Sequence, residues 1–213
     1  MGVAVGDDAF DHRTMTVAML SSVSSSVYAL WSAFLEQFFQ RIGLKGKEGT
    51  LLLLGLDNAG KSTLVHRLRS GTIRNYPPTD RPSLSEKFTY KGITFRAWDL
   101  GGHEAVRHLW GDYACECKAL FFLVDAADVE RLEESGYELD NLVAEGVLEG
   151  LPIAVLLNKC DLTDAASSSQ VCEKIQFEDL VDMHGQDMIK VFRISVLRGE
   201  GYEEAFQWVA SFL

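Results

Sequence analysis

Gly55-Leu56-Asp57-Asn58-Ala59-Gly60-Lys61-Ser62 follows directly on the apolar run Leu51 to Leu54. Its two glycines let the backbone curl tightly enough to aim successive N–H groups inward, and a helix starting there adds the positive end of its dipole. A lysine at the end of such a loop reaches terminal phosphates, and the next hydroxyl is placed to ligate magnesium. The pattern also arises by chance, so its surroundings decide. Here an apolar strand precedes it, and Ser62 to Ser70 follows with helix formers, apolar spacing at Leu64, Val65 and Leu68, and Gly71 as a stop. Asp57, Asn58, Ala59, Gly60, Lys61, Ser62 and Thr63 are therefore the candidate phosphate cradle.

Three further segments extend the argument. After a second strand, Ile93 to Trp98, comes Asp99-Leu100-Gly101-Gly102-His103-Glu104. A carboxylate at a strand end followed by paired glycines suits a magnesium-facing Asp99 and a Gly102 N–H close to a terminal phosphate. The apolar run Ile153 to Leu157 ends in Asn158-Lys159-Cys160-Asp161. A carboxylate at 161 accepts from guanine N1–H and the exocyclic amine, which adenine does not offer. Lys159 would lie along the base, and Asn158 would tie the base loop to the phosphate loop. The strand Lys190 to Ile194 runs into Ser195-Val196-Leu197, where a backbone N–H could meet guanine O6. All four segments sit at C-terminal ends of predicted strands, the ligand-binding edge of an open parallel sheet.

Together these four segments resemble the Ras-like small GTPases. Val124-Asp125-Ala126-Ala127-Asp128, Glu130-Arg131-Leu132, His103 and Ser195-Val196-Leu197 narrow the likeness to the small GTPase of the COPII vesicle coat, within the Arf/Sar family. Arf proteins usually carry glutamine where this chain has His103. The likeness covers about residues 27 to 213. It implies a P-loop nucleotide-binding α/β fold: a doubly wound, six-stranded, mostly parallel sheet with one antiparallel edge strand. It also implies an enzyme that hydrolyses GTP to GDP and phosphate, with Mg2+ held by Ser62, Thr79 and Asp99. His103 and Lys61 are the catalytic candidates, His103 orienting the attacking water. Thr79, after Pro78, matches the family threonine that meets magnesium and the γ-phosphate when triphosphate is bound. The loop departs from the family in having Pro82-Ser83 where a second Pro-Thr is usual, and in being about one residue longer. No arginine is evident in cis; Arg74, Arg81 and Arg107 are near in sequence only. Slow intrinsic hydrolysis and an arginine supplied by a partner are the expectation.

The predicted strands are Leu51–Leu54, Glu86–Tyr90, Ile93–Trp98, Leu120–Val124, Ile153–Leu157 and Lys190–Ile194, with a Lys91-Gly92 hairpin. Helices are expected near 104–111, 131–147, 170–184 and 202–212.

Three domains follow: residues 1–26 as a disordered leader, 27–48 as an amphipathic helix and basic linker, and 49–213 as the GTPase domain. Val27, Leu30, Trp31, Phe34, Leu35, Phe38, Phe39 and Ile42 recur at helical spacing, opposite Ser32, Glu36, Gln37, Gln40 and Arg41. Two readings compete: a helix packed permanently on the domain, or an interfacial anchor lying on a membrane that is released with GTP. The apolar runs are far short of the roughly 20 residues that span a bilayer. Met1-Gly2 lacks the serine or threonine of a myristoylation motif, and the C-terminus has no cysteine for prenylation.

The net charge of −11 argues against nucleic acid, and 47% apolar content over 213 residues is enough for a full core. Cys115, Cys117, Cys160 and Cys172 show no metal-ligand spacing and read as reduced packing thiols. The implied partners are a lipid surface met by residues 27–42, the COPII inner coat complex as effector and GTPase activator, and a membrane-bound guanine nucleotide exchange factor. The implied location is the cytoplasm, cycling onto the cytosolic face of the endoplasmic reticulum and further onto Golgi membranes. An Arf-like switch on another organelle, and a nucleotide-binding module without efficient hydrolysis, remain open.

Overall fold

The structure is a computed structural model; it describes residues 47–213 except Asn75, Tyr76, Pro78, Asp80 and Lys91. The expected leader, the amphipathic helix 27–42 and Lys91 of the expected hairpin lie outside the described residues.

Five strands form the parallel body of the sheet: β1 (Glu48–Leu54), β4 (Ile93–Asp99), β5 (Ala119–Asp125), β6 (Ile153–Asn158) and β7 (Ile189–Arg193), in the order β4-β1-β5-β6-β7. Leu51–Leu54, the first six residues of β5 and all of β6 are buried. Such unbroken apolar runs are what strands covered on both faces require. Because β1 pairs with β4 on one side and β5 on the other, the sheet's connections reverse direction there. The loop leaving β1 therefore opens at a switch point, where open α/β sheets hold ligands.

The mostly parallel sheet with an antiparallel edge is as the sequence predicts, but that edge comes in two pieces. β2 (Ser83–Leu84) and β3 (Phe88–Tyr90) both pair antiparallel with β4, making seven strands among the described residues where six were expected. Leu84 faces Trp98 while Phe88 faces Phe95, so Ser85–Lys87 must span the length taken by Arg96 and Ala97 on β4. This is a one-residue bulge. Ser85 fills it: its N–H donates to Ala97 O at 2.9 Å, and its Oγ accepts from Ala97 N–H at 2.9 Å.

The helices are α1 (Lys61–Ser70), α2 (Glu104–Arg107), α3 (Leu132–Ala144), α4 (Ser168–Lys174), α5 (Phe177–His184) and α6 (Tyr202–Ala210). Three differ from expectation. The helix expected near 104–111 stops at Arg107, and Gly111–Glu116 continues as a 3₁₀ turn. The helix expected over 170–184 is two, because Gln176 adopts φ 54° between them. The helix expected over 131–147 ends at Ala144. A capping box between Ser167 and Gln170 starts α4.

The core runs through Leu52, Leu54, Trp110, Phe122, Leu139, Val155 and Leu157, all at most 2% exposed. On the other face, the Phe206 ring of α6 packs against Phe95, Phe121 and Tyr90. The start of β1 is fastened to the end of α6: Lys47 Nζ donates to Ala210 O at 2.9 Å, and Gly49 lies under the Leu213 side chain. No helix among the described residues is long and apolar enough to cross a membrane.

Candidate nucleotide site

The loop between β1 and α1 turns on residues in left-handed backbone. Gly55 (φ 125°), Asn58 (φ 62°) and Gly60 (φ 100°) supply the reversals. Gly60 also needs its missing Cβ, because one would strike the Asn158 carboxamide. The result is a cavity of about 310 Å³ lined by Asp57, Asn58, Gly60, Lys61, Ser62, Thr63, Pro77, Thr79 and Gly102. Ala59, in the same loop, is buried.

Lys61, 5% exposed, donates from Nζ to the backbone oxygens of Gly55 and Leu56, both at 2.8 Å. Burial pushes its ammonium down to about 8 against the pull of the Asp99 and Asp57 carboxylates. A polyphosphate in the cavity would favour the charged form and reverse that shift.

Ser62 Oγ and Thr79 Oγ1 are 2.9 Å apart. Asp99 is 8% exposed; burial raises its carboxyl, against a hydrogen bond from Ser62 and the charge of Lys61. Its Oδ1 is buried with no hydrogen-bond partner. An orphaned carboxylate oxygen is costly unless something cationic meets it. Together with two hydroxyls, it is a hard oxygen donor set of the kind magnesium takes. The residues present therefore fit a magnesium ion at the three positions read from the sequence.

Gly102 closes the cavity from the side of β4. A methyl group there would overlap the backbone of Leu56 and Asp57, so the close approach admits only glycine. Trp110 fixes the same segment, its indole Nε1 donating to Gly101 O at 2.9 Å. His103 is exposed and stands at the N-cap of α2, next to Gly102 but not lining the cavity.

The base-side residues join the cradle through Asn158. Its Nδ2 donates to Ala59 O at 2.8 Å, and its Oδ1 accepts from Val196 N–H at 3.0 Å. Lys159 takes φ 63°, and its Nζ pairs with Asp125 Oδ2 at 2.6 Å. Ser195 Oγ donates to Asp161 Oδ1 at 2.6 Å, which holds the Asp161 carboxyl below the usual carboxylate range. Leu197 is 62% exposed. Asn158, Lys159, Asp161, Ser195, Val196 and Leu197 thus gather at one sheet edge, beside the phosphate cradle.

The sequence does not reveal the roles of three arginines that hold this site. Arg67 of α1 donates to the carbonyls of Val196 and Leu197 at 3.0 and 2.9 Å and to Tyr202 Oη at 3.2 Å, stitching the base loop to the phosphate-loop helix. Arg131 donates to Asp57 Oδ1 at 2.9 Å. Arg107, weighed above as a cis arginine, is instead committed to Glu134, Glu138 and the Gly102 carbonyl. The Glu130-Arg131 pair was visible in sequence; its partner Asp57 was not.

The family model for the ADP-ribosylation factor family matches residues 35–213. The small COPII coat GTPase SAR1 of Giardia intestinalis is 36% identical over 179 residues, 81% of this chain and 93% of that protein. ADP-ribosylation factor K of Dictyostelium discoideum is 34% identical, covering 92% of this chain and 98% of that protein. In structure, the chain resembles the Arl6 BBS3 small GTPase of Trypanosoma brucei, solved with a bound nucleotide analogue (TM-score 0.68, 24% identity, 78% of this chain and 98% of that one). At that identity the likeness bears on the fold alone. The phosphate cradle, the family match and the two relatives lead to one conclusion: this chain belongs to the ADP-ribosylation factor family, small GTPases that hydrolyse GTP and bind GTP or GDP with magnesium.

Proposed function

We propose that this GTPase is a membrane switch of COPII type, loading onto the endoplasmic reticulum with GTP and recruiting the inner coat for transport to the Golgi. Asp161 and the Val196 region would read guanine, with Lys159 along the base. The amides of residues 57–63 would hold the phosphates with Lys61. Ser62, Thr79 and Asp99 would hold magnesium, whose charge neutralises phosphate oxygens when bound. His103 would orient the attacking water, with an arginine from a partner completing charge stabilisation.

The observation that carries the site reading is Asn158 joined at once to Ala59 and Val196, which makes the purine-reading edge and the phosphate cradle one structure. The COPII assignment is supported by His103 directly after Gly102, by Ser195-Val196-Leu197, and by the likeness to the Giardia protein. A second reading, an Arf-like switch on another organelle, is supported by the Dictyostelium relative, which covers more of the chain at similar identity.

Liposome flotation with a non-hydrolysable GTP analogue against GDP, with the inner coat complex present, tests the first reading. Coat should float only with the analogue, and only when residues 27–42 are intact. Nucleotide-dependent flotation of the GTPase without coat recruitment would favour the second reading.

A further inference from the structure

Two arginines, two carboxylates and the Gly102 backbone close a ring beside the cavity, and a third carboxylate, Glu138, branches from it. Arg131 donates from Nη2 to Asp57 Oδ1 at 2.9 Å and from Nε to Glu134 Oε2 at 2.8 Å. Glu134 then accepts on Oε1 from Arg107 Nη2 at 2.6 Å, while Arg107 Nη1 donates to Glu138 Oε1 at 2.7 Å. Arg107 Nε returns to the site, donating to Gly102 O at 2.9 Å. The circuit closes because the backbone of Gly102 lies directly against Leu56 and Asp57.

The Arg107 contacts differ from ordinary surface ion pairs. The Arg107 side chain is only 9% exposed, and a guanidinium that deep is costly unless its donors are met. Burial would lower its pKa, but the Glu134 and Glu138 hydrogen bonds outweigh burial and raise it. All three of its named donor positions have partners in a fixed fork, which a lysine cannot reproduce. Glu134 and Glu138 lie one turn apart on α3, and Arg131 immediately precedes that helix. Helix α3 is therefore a rigid strut to which both walls of the cavity are tied, the phosphate loop through Asp57 and the loop after β4 through Gly102.

We infer that Arg131, Glu134 and Arg107 are positioning residues that hold the Gly102–His103 peptide against the phosphate loop, and so set the preference for triphosphate over diphosphate. This rests on the site reading proposed above. The chemistry follows from which wall each phosphate meets. The residues 57–63 that serve any bound phosphate belong to the loop and α1, whereas Gly102 is brought to the cavity from β4 and held there by Arg107. Loosening the ring at Glu134 or Arg107 displaces Gly102 and His103, while the Arg131–Asp57 bond on the phosphate-loop side stays in place.

The test uses the full chain and its Glu134→Gln, Arg107→Gln and Arg107→Lys variants, with Lys174→Gln as control. The control breaks the separate Lys174–Glu133 ion pair, which joins α4 to α3. Affinities for GDP and for a non-hydrolysable GTP analogue are measured for each, with intrinsic single-turnover hydrolysis. In the ring variants analogue affinity should fall about tenfold or more while GDP affinity changes less than about twofold, the size of an ordinary coupling between sites. Hydrolysis should slow in step, and Arg107→Lys should not rescue. Equal loss for both nucleotides would reduce the ring to general scaffolding and overturn the inference, as would an unchanged ratio. Should the unmodified protein bind no GDP, the site reading itself falls, and this inference with it. Thermal melts of the GDP-bound variants separate misfolding from either result.

Discussion

Asn158 Nδ2 and the Ala59 carbonyl oxygen meet at 2.8 Å although 99 positions separate them in sequence. The carboxamide uses its other end on Val196 N–H, so one side chain braces three loops. Replacing Asn158 with alanine leaves a buried carbonyl and a buried N–H unmet, at a cost of about 2–4 kcal/mol. Chemical denaturation should show that loss, and dissociation of a fluorescent GDP should be faster. Unchanged stability and unchanged dissociation would mean the brace is idle.

Asp161 offers two acceptor oxygens, one already taken by the Ser195 hydroxyl. Asp161→Asn turns part of that face into a donor, which suits xanthine and opposes guanine. Guanine nucleotide affinity should drop about hundredfold or more, with a gain for xanthosine diphosphate. Competition binding measures both, and retention of guanine preference by the variant would count against Asp161 as the purine reader.

Gly102 has no space for a side chain against Leu56 and Asp57. In Gly102→Ala the loop must withdraw from the cavity. Thermal protection by a GTP analogue should then shrink while protection by GDP persists. Equal protection by the two would show that the closeness of this loop has no bearing on the third phosphate.

His103 is exposed beside the cavity, free of any packing role in the core. His103→Leu should fold normally and hold GTP, yet lose about a hundredfold or more of the partner-stimulated turnover proposed above, the usual scale for a misplaced proton-handling group. Full stimulated turnover by this variant in phosphate-release assays would remove His103 from the chemistry.

Glu134 titrates below its ordinary value of 4.5 because the Arg131 hydrogen bond, ahead of the Arg107 bond, favours the charged form. Asp57 is also held low: burial would raise it, but the Arg131 hydrogen bond and charge prevail. Depressed carboxyls contribute stability that is full above their unfolded values and is lost as pH falls through their folded ones. Glu134→Gln should therefore melt lower than the unmodified protein at pH 7, and the gap should close as pH falls from 4.5 through the depressed folded value. A gap that stays constant into acid would argue that Glu134 contributes by shape alone.

The phosphate loop, the loops that gather at Asn158 and the parallel strands were legible because each is written locally: a glycine spacing, an apolar run, a motif at a strand end. The contacts of the three arginines were not. Arg67 acts on residues about 130 positions away and Arg131 on one 74 away, so their meaning exists only after folding. Gln176 at φ 54° was hidden for another reason, since left-handed backbone is normally announced by glycine or asparagine. β2 escaped notice because Pro82 masks its start and the bulge at Ser85 breaks the alternation that marks a strand.

The joint between Lys47 and Ala210, with Leu213 lying over Gly49, has a practical consequence for labelling. A fluorescent protein fused after Leu213 would emerge beside Lys47 and Gly49, where β1 begins, and would crowd that seam. Reporter dyes for vesicle docking belong instead on the exposed turn around Asp164, which follows the C-terminal end of β6, whereas that seam lies at the start of β1.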